Sequence, residues 1–157
     1  MRIEWFKVSQ GGAERFLLAV HAGGPPAPLL PRAIVGQTEQ DAGGRPDWAS
    51  FRPGASFLEH FGRFMRGELT ERPAILERAR TRPGEYLYVI DPRVGSVEGD
   101  VPFAEIVGWY QTDRSGAPIG ASFERNQDHR LVRADGTVSG VLREESLQRS
   151  VLAGSPA

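Results

Sequence analysis

The hydrophobic period of this chain changes twice, and that switch limits its fold more than any other feature. Near the start the apolar residues alternate. "RIEWFKVS" and "ERFLLAVHAG" read as two strands, joined into a hairpin by the short loop Gln10-Gly11-Gly12-Ala13. From Pro53 onward, Phe57, Leu58, Phe61, Phe64, Met65 and Leu69 recur at three- and four-residue intervals, as one face of a helix ended by Gly67 or Thr70. Thr70 then reads as the N-cap of a second helix, with Pro73 in its first turn and Ile75, Leu76 and Ala79 on its apolar side. After Pro83-Gly84 the strand pattern returns in "EYLYVI" and "AEIVGWYQTD", and the turn Arg114-Ser115-Gly116 leads back through "APIGASFERN". "RLVRADGTVSGVL" reads as a further hairpin around Asp135-Gly136. "REESLQRSVLAG" closes the chain as a helix with Leu147, Val151 and Leu152 on one side. Strands, then helices, then strands make an α+β fold: a mainly antiparallel sheet of four to six strands, covered by a helical hairpin and a C-terminal helix.

A chain of 157 residues can close one such core, so a single α+β domain over residues 1–157 is expected. Within it, the Pro/Gly-rich stretch "GGPPAPLLPRA" at 23–33 lacks the amide donors and free φ angles of a helix or central strand. It reads as a covering loop, followed by a short edge strand at Ala33-Ile34-Val35, and a flexible C-terminal tail is expected from about residue 153.

Charge and composition narrow the function classes. Nineteen basic residues against twenty acidic ones give a net charge of −1, the opposite of the basic excess that phosphate binding needs. Arg72, Arg78, Arg80 and Arg82 crowd "ERPAILERARTR", but Glu71 and Glu77 are interleaved, as on a solvated helix, and no nucleic-acid partner is expected. Residues 51–84 carry seven Arg against four Glu, a balance of +3, and residues 85–157 seven Arg against eleven acids, a balance of −4. Such segmental contrast suits association within the fold or with a partner. With no cysteine there is no disulfide, thiolate nucleophile or zinc-thiolate site. "MRIEWFKVSQ" has no basic segment followed by an apolar run, and no apolar stretch approaches the roughly 20 residues that span a bilayer. The expectation is a cytoplasmic protein with no membrane partner.

Side chains able to do chemistry concentrate at the end of the central hairpin. "GWYQTDRSGAPIGASFERNQDHR" opens on Trp109-Tyr110 and closes on Arg125, Asn126, Asp128, His129 and Arg130. Trp109 and Tyr110 are neighbours on a strand and face opposite ways, so one belongs to the core and the other to a surface. Asn126, Asp128 and Arg130 are types that close strands by bonding to backbone. His21, His60 and His129 are scattered, with no H-E-x-x-H spacing. Asp91, Glu98, Asp100 and Glu105 ring the loop "DPRVGSVEGDVP" without the spacing of a calcium loop, and read as solvated turn residues. Ser115-Gly116 and Ser139-Gly140 lack the G-x-S-x-G elbow of a hydrolase, and "HAGGPP" and "DAGGRP" lack the lysine and helix of a phosphate loop. No catalytic residue, cofactor or metal site is assigned.

The frame "IVGWYQTDRSGAPIGASFERNQDHR" is similar to a V-G-x-W-x-x-D-x-x-G hairpin ending in N-P-x-Y-R-P, found in small type VII secretion system-associated proteins of high-GC Gram-positive bacteria. "YLYVIDPRV…GDVP" and the helix "ERPAILERARTRPGEYLYVIDP" resemble the same family's preceding elements, so the likeness covers about residues 72–131. Trp109 directly follows Gly108, Gln127 stands in place of the proline, and His129 in place of the tyrosine. The resemblance implies an accessory or interaction role with no catalytic residue.

The expected function is therefore a non-enzymatic protein-binding accessory, chaperone or immunity-type protein of a bacterial secretion or toxin system. Its partner is a protein of the kind encoded beside it, homo-oligomers staying open, and its binding surface is Trp109, Tyr110, Arg125, Asn126, Asp128, His129 and Arg130. The alternative is a small metal-independent enzyme or ligand-binding domain built on His129, with Asp128 and Arg130 assisting and Trp109 or Tyr110 stacking on the ligand.

Overall fold

The computed structural model describes residues 1–23, 28–94 and 100–153. The chain gathers into two compact units, Met1–His60 with Leu131–Ala157, and Phe61–Arg130. Among the described residues, seven antiparallel strands and three α-helices make the α+β architecture that the period switch implies, with the strands shared between a four-stranded and a three-stranded sheet.

In the first unit, β1 (Arg2–Gln10), β2 (Ala13–His21), β3 (Ile34–Glu39) and β4 (Arg52–Pro53) lie side by side in that order. Gln10 pairs with Ala13, leaving a two-residue turn in which Gly11 and Gly12 take φ of 59° and 81°. Two successive positive φ angles match the twist of a tight hairpin and are open to glycine at little cost. β3, expected at a sheet edge, is paired on both sides. Gly36 makes this pairing feasible: a Cβ there would stand 2.4 Å from the carbonyl oxygen of Arg52. The ring of Trp5 meets Trp48 at 4.9 Å and Phe51 at 6.2 Å between centroids. α3 (Glu145–Leu152) buries Leu147 and Val151, and Arg32 caps its end, donating from Nε to the Val151 carbonyl (2.8 Å) and from Nη2 to that of Ala153. The hairpin expected around Asp135-Gly136 is reduced to one bridge, Val132 to Val138, closed by the Gly136 amide on the Arg133 carbonyl. The centre of the Pro/Gly-rich loop, residues 24–27, and the expected tail from 154 lie outside the described residues.

The second unit starts within α1 (Ala55–Arg66), where Phe61, Phe64 and Met65 are buried, as is Phe57 one turn earlier in the first unit. Gly67 ends the helix, a 3₁₀ turn spans Glu68–Glu71, and α2 (Pro73–Arg80) follows. Thr70 is not the N-cap of α2. Its hydroxyl donates back to the Gly67 carbonyl (2.7 Å), while Arg72, held extended by Pro73, occupies the cap position. β5 (Tyr86–Ile90), β6 (Ile106–Thr112) and β7 (Pro118–Arg125) form the sheet, with β6 at its centre. The β6–β7 turn is held by Asp113, whose carboxylate accepts from the Ser115 hydroxyl (2.6 Å) and from the amides of Ser115 and Ala117 (2.9 Å each). These donors, the Ser115 hydroxyl foremost, hold its carboxyl below the ordinary range.

Two substitutions test this packing. Truncating a buried phenylalanine costs about 3–5 kcal/mol, so Phe61→Ala should lower the chemical denaturation midpoint sharply; an unchanged midpoint would place that stripe in solvent. Thr38 is 1% exposed, and its Oγ1 is the buried side-chain polar atom without a hydrogen-bond partner among the described residues. Replacing a buried, unpartnered hydroxyl by a methyl removes its desolvation cost, so Thr38→Val should raise the same midpoint, for a gain of about 1 kcal/mol in unfolding free energy.

Candidate functional site

Two arrangements lie in the second unit, one at the end of β5 and the other on a face of the three-stranded sheet. The first is polar and sealed. β5 is followed directly by Asp91, whose side chain has no exposed surface and whose carboxylate collects donors from His129 and Arg93. His129 Nε2 lies 2.8 Å from Asp91 Oδ2, the Arg93 amide donates to Oδ1 (3.0 Å), and Arg93 Nε stands 3.3 Å from both Asp91 Oδ2 and Glu105 Oε2. Arg93 Nη2 donates to the Arg130 carbonyl (2.7 Å), and the Asp91 amide to the Glu105 carbonyl (2.9 Å). A carboxylate facing an imidazole N–H and a guanidinium is the arrangement that makes burying charge tolerable.

Asn126 completes this corner. Its Nδ2 donates to the carbonyls of Phe103 (2.8 Å) and Ile106 (2.9 Å), its Oδ1 accepts from the Asp128 amide (3.0 Å), and its own carbonyl accepts from the His129 amide (3.2 Å). This is the strand-closing use of an Asx side chain, extended across to the start of β6. The His129 side chain is 1% exposed and that of Asp91 has no exposed surface, so the pair is enclosed and has the bonding of a structural clamp. The reading of the acidic belt as solvated turn residues is corrected for two of its members. Asp91 and Glu105 are drawn inward by Arg93 and His129, Asp100 is exposed, and Glu98 lies outside the described residues.

The second arrangement is aromatic and open. Tyr88 pairs with Trp109 and Trp109 with Glu124, while Tyr86 pairs with Gln111 and Gln111 with Ile119, so these six side chains share one face of the sheet. Tyr86 is 50% exposed, Tyr88 42% and Phe103 52%. The Trp109 ring stands 6.2 Å from Tyr88, edge-on, and 6.1 Å from Phe103. Tyr110 faces the other way. It is fully buried against Phe123 (5.0 Å) and donates its hydroxyl to the Met65 carbonyl, and burial pushes that hydroxyl well above its ordinary range. Gly108 makes this seat: a Cβ there would sit 2.6 Å from the Phe123 ring and 2.3 Å from the Glu124 carbonyl. β7 bulges between its pairings at Ile119 and Glu124, and the Ser122 hydroxyl takes over the Gln111 amide (2.7 Å).

The seven residues singled out in the sequence therefore separate. Tyr110, Asn126 and His129 are buried, and Arg125 is half-buried, its guanidinium donating to Gln127 Oε1 (3.1 Å). Asp128 and Arg130 are exposed, and Trp109 lies with the aromatic face. Sequence reading missed Phe103, Tyr86 and Tyr88 as its neighbours, although the alternation of "EYLYVI" already puts both tyrosines on one side. Among the described residues no group of three or more His, Asp or Glu is placed to hold a metal, and no helix is long and apolar enough to cross a membrane. No protein-family model, curated protein or solved structure matches the chain.

Removing one member of a buried ion pair leaves the other uncompensated, at a cost of about 3–5 kcal/mol. Asp91→Ala should show that loss in chemical denaturation. Arg130→Ala, at an exposed side chain that lends only its backbone carbonyl, should stay within about 0.5 kcal/mol. Equal effects of the two would contradict a structural role for Asp91.

Proposed function

We propose that the chain is a non-enzymatic protein-binding protein, an accessory, chaperone or immunity-type component of a bacterial secretion or toxin system, and that it holds its partner on the open face of the β5–β6–β7 sheet. The observation that carries this reading is the aromatic cluster on one surface, in which Tyr86, Tyr88 and Phe103 are exposed around a half-buried Trp109. Aromatic side chains supply large contact area with few rotors to freeze, which is why Trp and Tyr dominate binding hot spots. The strand edges do not compete with the face. Arg78 Nη2 donates to the Tyr88 carbonyl on the outer edge of β5 (2.9 Å), and Gly120 of β7 lies so close to the end of α1 that a Cβ would meet the Arg66 carbonyl at 2.1 Å. A partner is thus gripped by side chains more than by strand addition. The likeness of residues 72–131 to small secretion-associated proteins supports the accessory role, and a protein encoded beside this one is the first partner to try.

The test is co-expression with the product of the neighbouring gene, followed by size exclusion and calorimetry. A stable complex is expected. Trp109→Ala should weaken it by about 2 kcal/mol or more, as hot-spot truncations do, with the free chain still folded, and Tyr88→Ala, at a 42% exposed side chain, should weaken it with the free chain's denaturation midpoint nearly unchanged. Binding that survives both Trp109→Ala and Tyr88→Ala at full strength would remove this face from the reading.

A further inference from the structure

We propose that the open edge of β1 is a self-association surface, on which β1 of a second copy of this chain adds antiparallel and joins two four-stranded sheets into one of eight strands. The other edges of the two sheets are blunted. β4 is two residues long and ends on Pro53, Arg78 caps β5 at the Tyr88 carbonyl, and β7 lies against the end of α1. β1 differs: it is nine residues long, free of proline, and paired with β2 without a break from Arg2–His21 to Gln10–Ala13.

The register of the hairpin identifies the groups at this edge. Gln10 and Ala13 flank a two-residue turn and so exchange both their hydrogen bonds, after which bonded and non-bonded pairs alternate along the hairpin. Arg2, Glu4, Phe6, Val8 and Gln10 therefore spend their amides and carbonyls on β2. Those of Ile3, Trp5, Lys7 and Ser9 point outward, with no backbone partner among the described residues. A lysine side chain is a common guard on such an edge, but Lys7 leans inward, its Nζ on Glu14 of β2 at 2.8 Å. A second copy fits because the strand is complementary to itself. Outward groups must meet outward groups, and the register that overlaps the whole strand sets Phe6 on Phe6 at the two-fold axis, Trp5 on Lys7, Glu4 on Val8, Ile3 on Ser9 and Arg2 on Gln10. No like charges are opposed. A slip of two residues in either direction shortens the overlap, and one of the two slips sets Lys7 on Lys7. In the full register Phe6 and Val8, half-buried beside Leu17, continue across the axis as one apolar strip.

The test is sedimentation velocity of the full chain from roughly 1 μM to 1 mM. A reversible monomer–dimer equilibrium is expected, and Trp109→Ala, in the other unit, should leave it in place. Lys7→Pro removes an amide that the hairpin does not use, so it should raise the dimer Kd at least about tenfold with strand content by circular dichroism retained. Register is read separately by oxidative cross-linking, since the chain has no cysteine of its own. Phe6→Cys faces its own copy across the axis in a non-bonded pair, with Cα atoms about 4.5 Å apart, and should form a dimer disulfide, whereas Ser9→Cys should not. If Lys7→Pro fails to fold, the two cysteine variants decide. A chain that stays monomeric across the range, a dimer indifferent to a folded Lys7→Pro, or Ser9→Cys cross-linking as readily as Phe6→Cys would each overturn the assignment.

Discussion

The Asp91 carboxylate is the constraint around which the second unit is organised. It sits without exposed surface at the end of β5, and the donors that satisfy it come from His129, beyond the end of β7, and from Arg93, which also engages Glu105 just before β6. One buried anion thus ties together three points distant in sequence, and its position is set by bonds with little tolerance for a shifted register. A three-stranded sheet is close to the smallest that is stable by itself, and a one-residue slip would turn its apolar side chains into water. The polar clamp, the Asn126 bonds to Phe103 and Ile106, and the Tyr110 hydroxyl on Met65 resist such a slip at three places.

With the register held, alternation does the rest. Leu87, Val89, Val107, Tyr110 and Phe123 are buried, while Tyr86, Tyr88 and Trp109 stand on the opposite side. Leaving such rings in water gives up stabilisation that burial would provide, roughly 1.5–3 kcal/mol for a large apolar side chain. A cluster of them on one face marks a surface suited to being covered by something else. The side chains most able to do chemistry, His129 and Asp91, are spent on holding the sheet. On the proposed reading, the partner is held by the face that the clamp orients.

Local pattern made much of this legible. The stripe Phe57, Phe61, Phe64 and Met65 gave α1 and its buried side, and the alternation in "EYLYVI" and "IVGWYQT" gave β5 and β6, because both signals repeat within a few residues. What escaped depends on distant partners. Nothing near Asp91 announces that His129, thirty-eight positions on, will bury it, and Asp, Pro and Gly together describe a solvated turn equally well. The division of seven strands between two sheets rests on pairings such as Gly36 with Pro53, where the signal is the lack of a side chain. Thr70 has the chemistry of an N-cap, yet the 3₁₀ turn it joins and the demand of Pro73 on Arg72 move the cap two residues along.

The central claim is that binding belongs to the aromatic face and that the His129 corner is architecture. Amide chemical-shift mapping of the labelled chain with its co-purified partner separates the two directly. Perturbations should centre on Tyr86, Tyr88, Phe103, Trp109 and Gln111, leaving the amides of Asp91 and His129 in place. Perturbations centred instead on Asp128, His129 and Arg130, with the tyrosine face unmoved, would contradict the account.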